Sequence, residues 1–280
     1  GSTTSACYST SGSSLRVKLR LFVLLAALFL LVASREQPWG DAHVVYDTTQ
    51  NLVEQGRIDV NLGGPPQFYA VRNGKKYGVF PMGNVIAHIP SYLAYRGLKF
   101  LPHAAPVEEL LFRFTSHLSS SLLMAGVCVL FFVLARREGA SERAALWLAI
   151  LAGGSTILAV YARVPYSEAL QTLCFTWVVE RALTMGDSPS VKGGVWLGIA
   201  CGLLFNTKLV YAASLPVVPI YILVMGARRG RFVEALTAMF AAGIPLLVLV
   251  GFAVWHNHLK TGTLVDTGYR IPDGVFSGDA

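Results

Sequence analysis

The sequence predicts an all-α polytopic membrane protein of about seven transmembrane helices, with a large first outer loop that carries interfacial helices and a small β-hairpin. Three observations lead there. Of 280 residues, 54% are hydrophobic and only 14% charged, against about 25% charged in ordinary soluble domains. Long apolar runs recur along the chain, each near the length that a hydrocarbon core of ~30 Å requires. The Arg/Lys clusters "RVKLR", "ARREGASER" and "GARRGR" fall on alternate loops between those runs. The net charge of +7 is therefore spread between apolar runs and forms no nucleic-acid patch.

Taken in order, residues 1–14 are Ser/Thr/Gly-rich and read as a disordered tail. Residues 15–255 form the membrane domain. Its first crossing is 19–34, for which a cleaved signal peptide is the competing reading; either way the next loop lies outside. The other crossings are 110–135, 144–161, 167–185, 193–206, 209–226 and 233–255. Residues 192–228 as one helix would exceed about 50 Å, so the polar "FNTK" splits them into a helical hairpin. The positive-inside rule puts the Arg/Lys clusters and "GDSPSVKGG" in the cytoplasm, together with the N-terminus. Four segments are then outside: the first loop 35–109, "ARVPYSE", "NTK", and the stretch from 256 to 280, read as the start of a further loop in a longer protein. Cys128, Cys174 and Cys201 lie in apolar runs as small hydrophobes, and neither they nor Cys7 have metal-ligand spacing.

The chemistry-bearing residues cluster in the outer segments. "DAHVVYDTTQNLVEQG" reads as a short surface helix with Gly56 as its C-cap, and it brings Asp41, His43 and Asp47 next to the membrane. Asp41, at or before the first turn, is either an N-cap or a functional carboxylate. "YAVRNGKKYGVF" alternates around an "NG" turn, a hairpin signal that carries Lys75, Lys76 and Tyr77. "PMGNVIAHIPSYLAYRGLKFLP" reads as a second interfacial helix. The other outer turns contribute Arg163, Glu168, Lys208, His256, His258 and Lys260. One such group at a span end usually snorkels. Carboxylates and cations gathered on one face suit an anionic lipid headgroup with an acceptor deprotonated beside it.

The segments "WGDAHVVYDTTQNLVEQGRIDV" and "GKKYGVFPMGNVIAHIPSYL" resemble the membrane-embedded C-type glycosyltransferases. The nearest branch is the bacterial relatives of protein O-mannosyltransferases and of the lipid A aminoarabinose transferase (glycosyltransferase family 39-like). "VPYSEALQTLCFTWVVERAL" and "WHNHLKTGTLVDTGY" are similar to recurring segments of that group. The resemblance implies transfer of a sugar from a polyprenyl-phosphate donor to an acceptor glycan, lipid or protein, on the outer face of the plasma (inner) membrane, without a cofactor. It implies Asp41 as general base; Asp47, six residues further along the same surface helix, is a second catalytic candidate by position and is not matched by the resemblance. Lys75 or Lys76, with Arg163 and Lys208, would surround the donor phosphate; His43, Tyr77 and Glu168 are further candidates. One departure stands out: many relatives have a second acidic residue directly after the Asp, and here Ala42 follows. A transporter and a non-catalytic envelope-assembly subunit are the alternatives. The first would call for ionisable groups in mid-membrane, whereas the second would leave Asp41 dispensable.

Overall fold

The computed structural model describes residues 12–33, 40–61, 66–100, 105–264, 266 and 268. α1 (Gly12–Leu31) buries Leu21, Leu25 and Phe29, four residues apart, and turns Leu24, Leu28 and Leu31 outward. Its buried face packs on α5 (Leu118–Arg137) and α6 (Glu142–Gly154) through Met124, Cys128 and Ala149. α7 (Ile157–Tyr161) continues α6 after a break at Ser155–Thr156, where the Thr156 hydroxyl caps the new helix. Helix α1 already begins at Gly12, so residues 12–14, expected in the tail, are helical; residues 1–11 lie outside the described chain.

A second cluster joins α8 (Glu168–Asp187), α9 (Val191–Phe205), α10 (Val217–Arg228) and α11 (Phe232–Thr261). The tightest approach is between α9 and α11. A Cβ added at Gly194 would lie 2.1 Å from the Ala238 carbonyl oxygen, and one at Gly198 2.0 Å from that of Ala242. Gly202 meets the Leu249 side chain in the same way. Small residues four apart let two backbones touch, the usual device where lipid removes the hydrophobic drive between helices. The expected helical hairpin is present, since α9 ends at Phe205 and "NTK" forms the turn. The chain then passes through a 3-10 turn, Leu209–Ala213, before α10.

All seven runs read as crossings fall on helices. Among the described residues, however, three helical stretches are long and apolar enough to cross a membrane: Val107–Arg137, Leu209–Arg228 and Phe232–Thr261. The count of seven is thus not supported by length and composition, and the chain shows why. α1 carries Arg16, Lys18 and Arg20 in its first half, α8 carries Glu180 and Arg181 inside the helix, α6 is interrupted after 13 residues, and α9 is 15 residues long. The burial pattern is consistent with a membrane protein. Phe240, Ile244, Leu247 and Val248 of α11 are all exposed, an apolar outer surface that calls for a non-aqueous surrounding.

The remaining elements form a cap on one end of this bundle. α2 (Asp41–Gln55) and α3 (Met82–Lys99) pack through Val45, Met82 and Val85, with Phe252 of α11 against them. β1 (Tyr69–Arg72) and β2 (Lys75–Gly78) pair antiparallel, Tyr69 opposite Gly78 and Arg72 opposite Lys75. Asn73 and Gly74 both have positive φ, 50° and 74°, which is what an "NG" hairpin turn requires. α4 (Ala105–Ser116) joins α5 across a one-residue break at His117.

Candidate functional site

The four segments assigned to one side by charge do meet at one end of the bundle. The Arg163 Nε donates to the Val32 carbonyl at 2.6 Å. Gly83 N–H donates to Asn206 O at 3.2 Å, and the Asn84 amide to Thr207 O at 3.3 Å. Arg72 of β1 reaches the final turns of α11, donating to Leu259 O at 3.0 Å and also to His258 O. The opposite loops converge likewise. Asp187 pairs with both Arg137 and Arg229, and the two guanidinium groups also cap the Leu183 and Gly186 carbonyls. The alternation of charged loops is therefore realised as two distinct ends.

At the capped end α2 is placed by the hairpin. Gly78 sits so close to it that a Cβ would lie 2.8 Å from Val44 Cγ1. Asp47 is buried and its Oδ2 accepts from the Asn61 N–H at 2.9 Å. Asn51 donates to Asp59 O at 2.7 Å and accepts from the Asn61 amide, which fixes the return strand after Gly56. Asp47 also faces Tyr69, whose hydroxyl is pushed above its usual range by burial first and by the carboxylate second. The Lys76 ammonium stands 5.8 Å above the Tyr69 ring.

Asp41 is the first residue of α2 and is not its cap. Gly40 occupies the cap position with φ 63° and supplies no side chain, while Asp41 Oδ1 accepts only from the adjacent Ala42 N–H at 3.1 Å. With 3.6 residues per turn, Asp41 shares a face with Val45 and Leu52, the face that packs over Met82 and Phe252.

Sequence reasoning named Lys260 among the outer cations and gave it no role. In the structure it is 1% exposed, and its Nζ donates to Val79 O at 3.2 Å. His256, one turn earlier, is buried too. Both line a small cavity with Asn206, Asn257, Pro81 and Met82. Below it runs an apolar groove of about 380 Å³ between α9, α10 and α11. The two share Phe205, and α11 lines both at helical spacing: Met239, Ala242, Leu246 and Val250 in the groove, then Ala253, Asn257 and Lys260 in the cavity. The apolar groove and the cavity that holds the buried ammonium are thus adjacent, with Phe205 in the wall of both. The burial of Lys260 was not legible because a lysine after an apolar run looks like an ordinary snorkelling group.

The four cations proposed for a donor phosphate do not line this cavity. Lys75 and Lys208 are exposed, Lys76 stacks on Tyr69, and Arg163 holds the end of α1. Lys208 follows the lining residue Asn206 by two positions and directly precedes another, Leu209. His43 is exposed on α2, and Tyr77 pairs with Ala70 and bridges Asp59. Glu168 opens α8, with its Oε2 buried and without a hydrogen-bond partner among the described residues, within electrostatic reach of Tyr211. The stretch from 256, expected as a loop, continues as helix to Thr261, which is what buries His256 and Lys260. A scan against protein-family models finds no match, and a search of curated proteins finds none either.

Proposed function

We propose that this chain is the membrane part of a glycosyltransferase. It moves a sugar from a polyprenyl-phosphate donor to an acceptor hydroxyl at the capped end of the bundle. The observation that carries this reading is the apolar groove beside the cavity of buried Lys260, the two sharing Phe205. An isoprenoid chain lies in such a groove, and its phosphate meets the ammonium at the top. Asp41, on the face of α2 turned toward the bundle, takes the proton of the acceptor hydroxyl. The acceptor oxygen then forms a bond to the anomeric carbon while the bond from that carbon to the phosphate oxygen breaks. The charge developing on the phosphate falls to Lys260, with Lys208 at the rim. Asp47, committed to the Asn61 N–H, positions α2 on the hairpin and is not the base. In this reading the seven-crossing arrangement stands with the N-terminus in the cytoplasm and the capped end outside a plasma (inner) membrane.

The test is Asp41→Asn in the full-length protein, assayed for transfer from a radiolabelled polyprenyl-phosphate sugar. Loss of a general base lowers the rate by about 10²–10⁴-fold. Since Asp41 is not the cap, the substitution removes at most the small helix-dipole contribution of about 0.3–1 kcal/mol. Activity near wild type would overturn the assignment.

A further inference from the structure

A second cavity, of about 420 Å³, opens between α2, α3 and α4, within the range of small-molecule sites. It lies away from Asp41. Its α2 lining residues, Gln50 and Glu54, follow Asp41 by nine and thirteen positions, roughly half a turn round the helix. The other polar lining groups are Tyr92, Tyr95, Arg96 and Lys99 of α3. Tyr92 donates to Glu54, and that bond is the main cause holding the carboxylate below its usual range. Tyr95 donates to Glu108 at 3.0 Å, and Lys99 pairs with the same carboxylate at 2.6 Å. Arg96 feels the Glu54 charge, but no hydrogen bond or ion pair fixes its guanidinium among the described residues. The cavity therefore holds one committed cation, one uncommitted cation, and a carboxylate with an oxygen engaged only by the Gln50 amide at 3.4 Å.

Next to these groups α3 exposes an apolar stripe. Ile86, Leu93 and Phe100 are 46%, 50% and 81% exposed and recur every seven residues, so they share one face. Phe100 belongs to both the stripe and the cavity wall. A polar cavity of mixed charge that continues into an exposed apolar stripe has the layout of an amphiphile site.

We propose that this cavity binds a bilayer aminophospholipid, independently of the glycosyltransferase reading. Its phosphate lies on Arg96, with Lys99 behind, its ammonium against Glu54, and its acyl chains along Ile86, Leu93 and Phe100. Charge selects this headgroup. Glu54 repels a purely anionic headgroup, and Arg96 leaves a purely cationic one without its counterpart. Arginine suits the phosphate because its planar fork offers two parallel N–H donors.

The full chain purified in nanodiscs of mixed phosphatidylethanolamine and phosphatidylglycerol should retain phosphatidylethanolamine selectively after transfer to detergent, as read by native mass spectrometry. Arg96→Ala should lower retention about tenfold or more, the scale of losing a charged hydrogen bond. Glu54→Gln should remove the preference over phosphatidylglycerol without removing lipid binding. Selective retention of phosphatidylglycerol, or equal retention of both, would overturn the proposal. So would retention that survives both substitutions. Free phosphoethanolamine binding as tightly as the lipid would show a soluble ligand and overturn the role of the stripe. Loss of donor-lipid binding with phosphatidylethanolamine retained would count against the glycosyltransferase reading alone.

Discussion

The two ends of the bundle are built from the same residue types and treat them oppositely. At the plain end short loops bring Arg137, Arg229 and Asp187 together, and the cations satisfy both a carboxylate and the carbonyls that close α8. At the capped end Lys260 is buried against a carbonyl with no carboxylate bonded to it among the described residues. Glu168 Oε2, Asn84 Oδ1 and Asn206 Oδ1 are buried there without partners among the same residues. Buried polar groups are costly unless bonded. Among the described residues the plain end leaves only Arg137 Nη1 of its cluster open, whereas the capped end gathers several such groups near a buried ammonium, and a ligand bound there would complete their bonding.

The contrast is broken most severely by exchanging carboxylates for amides at both ends. Asp41→Asn should cost about 10²–10⁴-fold in transfer rate, while Asp187→Asn in the same assay should leave the rate near wild type. Equal losses would mean that the ends do not differ in function. Next in size is Lys260→Met. Replacing a buried charge by an apolar side chain of similar length is often neutral for stability, so thermal unfolding should move little. Binding of a polyprenyl phosphate should weaken by at least about tenfold, as expected for a lost charged contact. A clearly lowered unfolding temperature with unchanged donor affinity would make Lys260 structural.

A smaller effect is a pH slope that arises at the capped end. His88 is buried, and burial holds its pKa below the ordinary 6.5 despite hydrogen bonding to the Asn84 carbonyl. Below pH 6.5 the unfolded chain therefore takes up a proton that the folded chain refuses. Stability falls as pH drops through that value, by at most about 1.4 kcal/mol per pH unit. His88→Gln should flatten the acid side of a stability–pH curve measured on the purified protein. Smallest is the stability change of Asp187→Asn itself. Its pairs are partly exposed, so about 0.2–1 kcal/mol is expected by denaturant unfolding.

Local signals were legible and partner choice was not. The "NG" turn gave the hairpin because two positive φ values admit few residues, and Gly56 ended α2 because it adopts the left-handed cap. The alternation of Arg/Lys clusters sorted the loops onto two ends, as electrostatics at the lipid surface acts on each loop separately. The burial of Lys260 depends on Val79, 181 positions earlier in the chain, and no local pattern encodes it. Length and composition single out three of the seven expected crossings, because apolar runs record burial in lipid or protein alike, and α9 sets its glycine face against α11. Asp41 was singled out by its position after the first apolar run and by the resemblance. Its freedom from capping needed the φ of Gly40.

The glycine face of α9 has a consequence for how the protein is made. Gly194, Gly198 and Gly202 have their partners at Ala238, Ala242 and Leu249, on the far side of α10. A ribosome adding roughly 5–20 residues per second finishes α9 several seconds before that partner surface exists. Throughout the interval a 15-residue helix waits with its notched face unfilled. α10, flanked by the groove it shares with α9 and α11, is inserted before the pair that it borders has closed. Assembly of this half of the bundle is therefore governed by the emergence of α11, and a ribosome stalled shortly after Arg231 would leave a membrane intermediate in which α9 has found no permanent neighbour on that face.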